Sequence, residues 1–242
     1  MNKTKRVLRP FLTAIPILLA VGCSKEPAVP PPIAKFELVE ARISDVHAAI
    51  MSGQLTSVQL VRDYLARIKA YNGKCVNEPE GVLGRVTTIP NAGQINALST
   101  LNLRPAVRQQ LGFDDRKARS ITDAVDTDPA MPDALEMAAE LDRKFAETGK
   151  LVGPLHGIPI AIKDQFDTFD MRTTSGADAN YANDRPPDDS TFVKRLREAG
   201  AIIIAKANMG EYASGDRSAF GGTLCNPYDT ERTPGRSSGG SG

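Results

Sequence analysis

The chain has 242 residues, 41% of them hydrophobic, enough for one sizeable core or two small ones. Lys and Arg number 30 against 29 for Asp and Glu, and a net charge of +1 gives no electrostatic reason to expect nucleic acid as a partner. With no Trp and 5% aromatic residues, a stacking platform for bases or sugars is not expected either.

The first residues read as an export signal. Lys3, Lys5, Arg6 and Arg9 form a basic leader, and Phe11 to Val21 is an apolar run broken by Thr13 and Pro16. At a helical rise of about 1.5 Å per residue the run spans roughly 16 Å, about half a bilayer core, so it fits a signal-peptide core and not a membrane span. Ala20-Val21-Gly22-Cys23 follows in the form of a lipobox, with Ala20 where such boxes usually carry Leu. The expected organisation is a signal peptide over 1–22, a lipidated Cys23 with a Pro-rich tether over 23–35, and a folded domain over 36–242. The expected location is a bacterial membrane, with the protein anchored by lipid on the periplasmic or outer face. Ordinary secretion with an incidental Cys is the alternative. Outside the cytoplasm Cys75 and Cys225 are free to pair, or to serve as two small hydrophobes. Cys75 lies in an irregular segment that nothing ties to Cys225, so no required disulfide is expected.

Ser44 is placed to cap a short helix that stops at Gly53. Thr56-Ser57-Val58-Gln59 has the capping-box form, and Val58, Val61, Tyr64, Leu65 and Ile68 then share one helical face up to Gly73. Residues 74–131 lack periodicity, hold Asn, Gly and Pro clusters and a mixed-charge run from Asp114 to Arg119, and read as a mostly surface insertion with one or two short helices. From Asp133 a helix returns, with Ala134, Met137, Ala138, Leu141 and Phe145 inward and Gly149 as its stop. Ile158 to Lys163 reads as a buried strand, Ser190 caps a helix over Thr191 to Ala199, and Ala201 to Lys206 is a second buried strand. A strand–helix–strand unit of this length predicts parallel strands and an α/β fold, with working groups beyond the strands' carboxyl ends.

The tail Pro234-Gly235-Arg236-Ser237-Ser238-Gly239-Gly240-Ser241-Gly242 admits three readings. It could be a loose linker. Gly235-Arg236-Ser237-Ser238-Gly239 also fits the hydrolase elbow G-x-S-x-G, but that elbow needs a later acid and His, and both His47 and His156 lie upstream. The third reading joins the tail to earlier motifs. Gly153-Pro154-Leu155-His156-Gly157-Ile158-Pro159-Ile160-Ala161-Ile162-Lys163-Asp164, then Thr173-Thr174-Ser175-Gly176, then the stretch from Leu196 through Lys206-Ala207-Asn208-Met209-Gly210-Glu211, then Asn226-Pro227-Tyr228-Asp229 and the tail together closely resemble the amidase signature enzymes. The resemblance runs from about Ile43 to Gly73 and from Asp133 to the last residue.

The resemblance implies a mixed central sheet flanked by helices and a Ser-cis-Ser-Lys triad that hydrolyses a carboxamide C–N bond through an acyl-enzyme. Lys163 corresponds to its lysine and Ser237 to its bridging serine, held on a cis Arg236–Ser237 bond; Ser238 is a possible supporting hydroxyl. The family commonly has Gly where this chain has Arg236. The nucleophile and the oxyanion turn are implied beyond Gly242, so the 242-residue chain alone is expected to be inactive; a truncated, non-catalytic lipoprotein is the rival reading. A cytoplasmic amidotransferase subunit bearing the same signature is a second rival, disfavoured by the leader. The substrate would be a small-molecule or peptide amide, with no metal or organic cofactor.

Lysine at a strand end is a fitting base, because burial away from carboxylates lowers its pKa toward neutrality; Asp164 could instead pair with Lys163 and keep it charged. Lys206 is expected to be solvated and without a role. His156 is read as a packing or hydrogen-bonding residue, and Asp184, Asp188 and Asp189 as a solvated loop more than a metal site.

Overall fold

The computed structural model describes residues 35–79, 84–120, 126–178 and 185–240. The leader, Cys23, nearly all of the tether, and Asp184 lie outside the described residues. Among the described residues no helix is long and apolar enough to cross a membrane.

The first helix, α1, spans Ile43–Met51. It begins one residue before the expected cap: Arg42 is the N-cap, and the Asp45 carboxylate accepts from its backbone N at 3.0 Å, leaving Ser44 inside the first turn. Helix α2 spans Ser57–Tyr71 behind Thr56, whose hydroxyl accepts from Gln59 N at 3.0 Å. Only half of the expected capping box forms, since the Gln59 side chain turns forward to Asp63.

The segment 74–131 departs from its expected surface character. It opens with a small antiparallel pair, β1 (Val76–Asn77) and β2 (Thr87–Thr88). It then supplies β3, Leu98–Leu101, every residue of which is buried. The Asn72 side chain, just past α2, accepts from Leu98 N at 2.7 Å and donates to Leu98 O at 2.9 Å, which registers β3 against the helix end. Helix α3 (Pro105–Gln110) and a 3-10 turn (Asp115–Lys117) follow. Arg119, expected in a surface charge run, is buried. Its guanidinium donates to both Asp126 oxygens, to Asn102 Oδ1 and to Met131 O, so its fork is satisfied internally.

Helix α4, Ala134–Thr148, starts on a full capping box between Asp133 and Glu136 and ends on left-handed Gly149. Strands β4 (Pro159–Lys163) and β5 (Ile202–Ala207), before and after helix α5 (Thr191–Glu198) in the chain, pair directly and in parallel. The sheet order is β3-β5-β4, with β3 antiparallel to β5, so the sheet is mixed. All six residues of the central strand β5 are buried, as a strand covered on both faces requires. Its alternation sorts the core. Ile202 and Ile204 pack with Val61 and Leu65 of α2 and Ala138 and Leu141 of α4; Ile203 packs with Ile162 and Val193 on the opposite side. A hairpin of β6 (Arg217–Ser218) and β7 (Gly222–Thr223) precedes the tail.

Cys75 and Cys225 are joined, against expectation, with Sγ atoms 2.06 Å apart. What the sequence hides is the return of the chain. Cys225 N donates to Ile95 O at 3.1 Å, and Glu78 accepts from Thr223 N at 3.0 Å, which lays residues 223–225 beside β1.

Candidate functional site

Lys163 is the last residue of β4 and stands opposite Ala207 of β5. Its half-buried Nζ donates to the Ser237 hydroxyl at 3.1 Å, across 74 residues of chain. Ser237 is buried, so the tail is not a loose linker. Two contacts seat it. Gly239 N donates to Arg236 O at 3.0 Å, closing a turn around Ser237. At Gly240 a Cβ would lie 2.3 Å from Asn208 O and 2.4 Å from Ala97 O, so only glycine lets the tail lie against the ends of β5 and β3. Asn208 is itself buried and pinned, its amide donating to Asn96 O at 3.0 Å and its Oδ1 accepting from Met209 N at 2.9 Å. Sequence reasoning gives Asn208 no role of its own; its position one residue past a buried strand end is the signal that could have found it.

The Arg236–Ser237 bond is trans, as are all peptide bonds among the described residues, which corrects the expected cis form. A non-proline cis bond costs about 3 kcal/mol and persists only under enclosing contacts. Here Arg236 is exposed and a Cβ on Gly235 would touch nothing. Ser238 is exposed and stands, with Asn226, Tyr228 and Arg236, on the wall of a cavity of about 320 Å³ that neither Lys163 nor Ser237 lines.

Asp164 does not pair with Lys163. Consecutive strand residues point to opposite faces. Asp164 is buried, accepts from the Thr174 hydroxyl and from Thr174 N, and lies 3.8 Å from Lys206 Nζ. Lys163 therefore keeps a neutral hydroxyl as its partner and has no carboxylate paired with it among the described residues. Lys206, expected to be solvated, is fully buried. Its Nζ donates to Phe166 O at 2.6 Å and Thr173 Oγ1 at 2.8 Å. Burial pulls its pKa down to about 8, opposed by the attraction of Asp164. The same burial pushes the Asp164 carboxyl up, with Lys206 opposing. This buried pair ties the loop 164–174 beneath the strand ends and leaves Lys163 above it.

His156 is buried as a packing residue. Its Nδ1 accepts from Val152 N at 3.1 Å, its ring lies 6.1 Å from that of Phe145, and burial followed by His47 holds its pKa low. Asp188 pairs with Lys194 at the surface. Asp189, read as solvated, is buried: it accepts from Phe169 N at 3.0 Å and Arg197 Nε at 2.9 Å, an anchor and not a loop. No cluster of three or more metal-ligating side chains occurs among the described residues.

The family described as Amidase matches residues 116–242. The glutamyl-tRNA(Gln) amidotransferase A-type subunit of Heliobacterium modesticaldum is 50% identical over 110 residues, 45% of this chain and 22% of that protein. The protein of the same name from Thermobifida fusca is 32% identical over 208 residues, 85% of this chain and 32% of its own length. Among solved structures, native peptide amidase from Stenotrophomonas maltophilia superposes with a TM-score of 0.61 at 31% identity, covering 85% of this chain and 34% of that one. The chain thus spans about a third or less of the length of these relatives. With its mixed sheet, its flanking helices and the family's match over residues 116–242, the chain belongs to the amidase family.

Proposed function

We propose that the polypeptide carrying this domain hydrolyses a carboxamide C–N bond through a serine acyl-enzyme, with Lys163 as the proton acceptor and Ser237 as the relay. The observation that carries the reading is the 3.1 Å hydrogen bond between Lys163 Nζ and Ser237 Oγ at the carboxyl end of β4. Family membership and the likeness to a peptide amidase support amides, peptide amides included, as the substrate class.

The pair has the parts of a proton wire. An attacking serine passes its proton to Ser237 Oγ, whose own proton moves to Lys163 Nζ. The resulting ammonium returns a proton through Ser237 to the departing amine, and water then releases the acyl group. Ser237 thus turns around within one position, which its burial and the seat of Gly240 favour. The reading places the attacking serine and the oxyanion donors after Gly242.

The test applies an amide-hydrolysis assay and a serine-directed fluorophosphonate to the 242-residue chain and to a polypeptide extended in frame. The extended form is expected to hydrolyse and to label, and Lys163→Ala to abolish both. Labelling of the 242-residue chain at Ser237 or Ser238, lost in Lys163→Ala, would overturn the assignment of Ser237 as relay.

The export reading is also a proposal: lipidation at Cys23 and anchoring to a membrane. The Cys75–Cys225 bond supports it, since disulfides persist in oxidising compartments. Cys23→Ala is expected to move the protein into the soluble fraction; retention as firm as the parent's contradicts the anchor. A second reading, an amidotransferase component, is favoured by the 50% identity to such a protein over 110 residues. Glutamine-dependent amidation of a charged tRNA by the extended polypeptide would establish it in place of simple hydrolysis.

A further inference from the structure

Lys206 is fully buried, yet the proton wire gives it no task. A core position that needs only volume takes an apolar side chain, because a buried cation is costly unless it is paired and hydrogen-bonded. Lys206 is both, and its partners lie in one place. Lys206 stands opposite Ile162 and Lys163 opposite Ala207, so the two lysines leave the sheet on opposite faces. The Lys206 ammonium passes beneath the turn that follows β4. There it donates to Phe166 O at 2.6 Å and to Thr173 Oγ1 at 2.8 Å, and it lies 3.8 Å from Asp164 Oδ1.

These three partners belong to one closed loop. At its neck Asp164 O accepts from Ser175 N at 2.9 Å, and the Asp164 carboxylate accepts from Thr174 N at 3.3 Å and from the Thr174 hydroxyl. Within it Phe166 N donates to Lys163 O at 3.0 Å. Phe166 is therefore held twice: its N–H by the carbonyl of Lys163, its C=O by the ammonium of Lys206. Lys206 fastens from the neighbouring strand the very residue that binds the backbone of Lys163. An apolar side chain at 206 could fill the space but could not hold that carbonyl.

We propose that Lys206 is a positioning residue for Lys163. Acting through Phe166, Thr173 and Asp164, it fixes the direction in which the chain leaves β4 and with it the 3.1 Å contact between Lys163 Nζ and Ser237 Oγ. Its consequence for catalysis rests on the amidase reading; its consequence for the geometry of Lys163 does not.

The test has two arms, which separate these consequences. The first needs no activity and uses the 242-residue chain, labelled with 13C. It measures by NMR the Overhauser effect between the Lys163 ε-methylene and Ser237 β-methylene protons. Lys206→Met is expected to weaken that signal at least about threefold, whereas Lys194→Met, at a surface lysine paired with Asp188, leaves it at parental strength. The second arm measures amide hydrolysis by the polypeptide extended in frame. Lys206→Met should lower kcat about ten- to a hundredfold with KM within about twofold, since small misplacements of a reacting group cost rate more than binding. Thr173→Val, which removes one acceptor of the ammonium, should lower kcat by less, and Thr173→Ser, which keeps the hydroxyl, should stay within about twofold of the parent. A parental Overhauser signal in folded Lys206→Met, a kcat within twofold of the parent in that variant, or equal losses in Thr173→Val and Thr173→Ser would each overturn the proposal. Should Lys206→Met not fold because Asp164 is left buried alone, Lys206→Met with Asp164→Asn removes both charges together and is read in the same way. If the extended parent does not hydrolyse amides, or Lys163→Ala hydrolyses as well as the parent, the amidase reading fails, and the first arm still decides whether Lys206 positions Lys163.

Discussion

Lys163 ends β4, Lys206 stands one residue before the end of the parallel neighbour β5, and the two meet opposite surroundings. Lys163 faces a serine hydroxyl, and Lys206 faces Asp164 and a loop carbonyl beneath the sheet. The sequence distinguishes Lys163 only through the surrounding motif; the burial of Lys206 is not legible there, because its partners come from the loop 164–174, whose path no periodicity encodes. Gly240 gives a test at this scale. Gly240→Ala puts a methyl about where Asn208 O and Ala97 O stand, so the tail must lift. In an extended polypeptide that hydrolyses amides, kcat should fall about a hundredfold from misplacement of Ser237, with a smaller change in KM. A kcat within twofold of the parent would mean that the tail's seat does not position Ser237. Lys117 gives a pH test. Its folded pKa of about 8 lies below the ordinary 10.5, so the unfolded chain binds more protons between those values and stability rises with pH through the window. Relative to Lys117→Met, the parent should gain up to ~3 kcal/mol between pH 8 and 10.5 in urea unfolding. A flat difference would show that Lys117 is not buried as a charge.

At the scale of elements, legibility follows periodicity and caps. Helices α2 and α4 carry apolar faces over four turns and signalled starts at Thr56 and Asp133, and both stand where expected. Strand β3 escapes a reading of the sequence because Leu-Ser-Thr-Leu neither alternates nor forms an apolar run. Its two hydroxyls are buried because β5 and the Asn72 clamp hold it, a tertiary cause. The capping prediction is quantitative. Asp133 accepts from Leu135 N and Glu136 N, both at 2.9 Å, and from Arg104 N at 3.0 Å, so it serves α4 and the entry to α3 together. Asp133→Ala should cost about 2 kcal/mol, the upper end for a cap, read as a lower urea midpoint with unchanged slope. A loss below about 0.5 kcal/mol would mean water replaces the carboxylate at all three amides.

For the molecule as a whole, the least legible feature is the Cys75–Cys225 bond, since the proximity of residues 150 apart depends on the completed fold. Reduction, or the double substitution Cys75→Ala with Cys225→Ala, should lower stability by about 2–5 kcal/mol, seen as a matching fall in Tm for both. No fall in either would place the thiols apart in solution. The bond also makes residues 75–225 a covalent ring. That ring contains β3, β4 and β5, and with them Lys163, whereas Ser237 hangs twelve residues outside it. A protease that cuts once anywhere inside the ring therefore opens a loop without releasing a piece. The nicked protein should run as one band until thiol is added and as two afterwards, whereas a cut between Cys225 and Ser237 frees the segment that bears Ser237 under either condition.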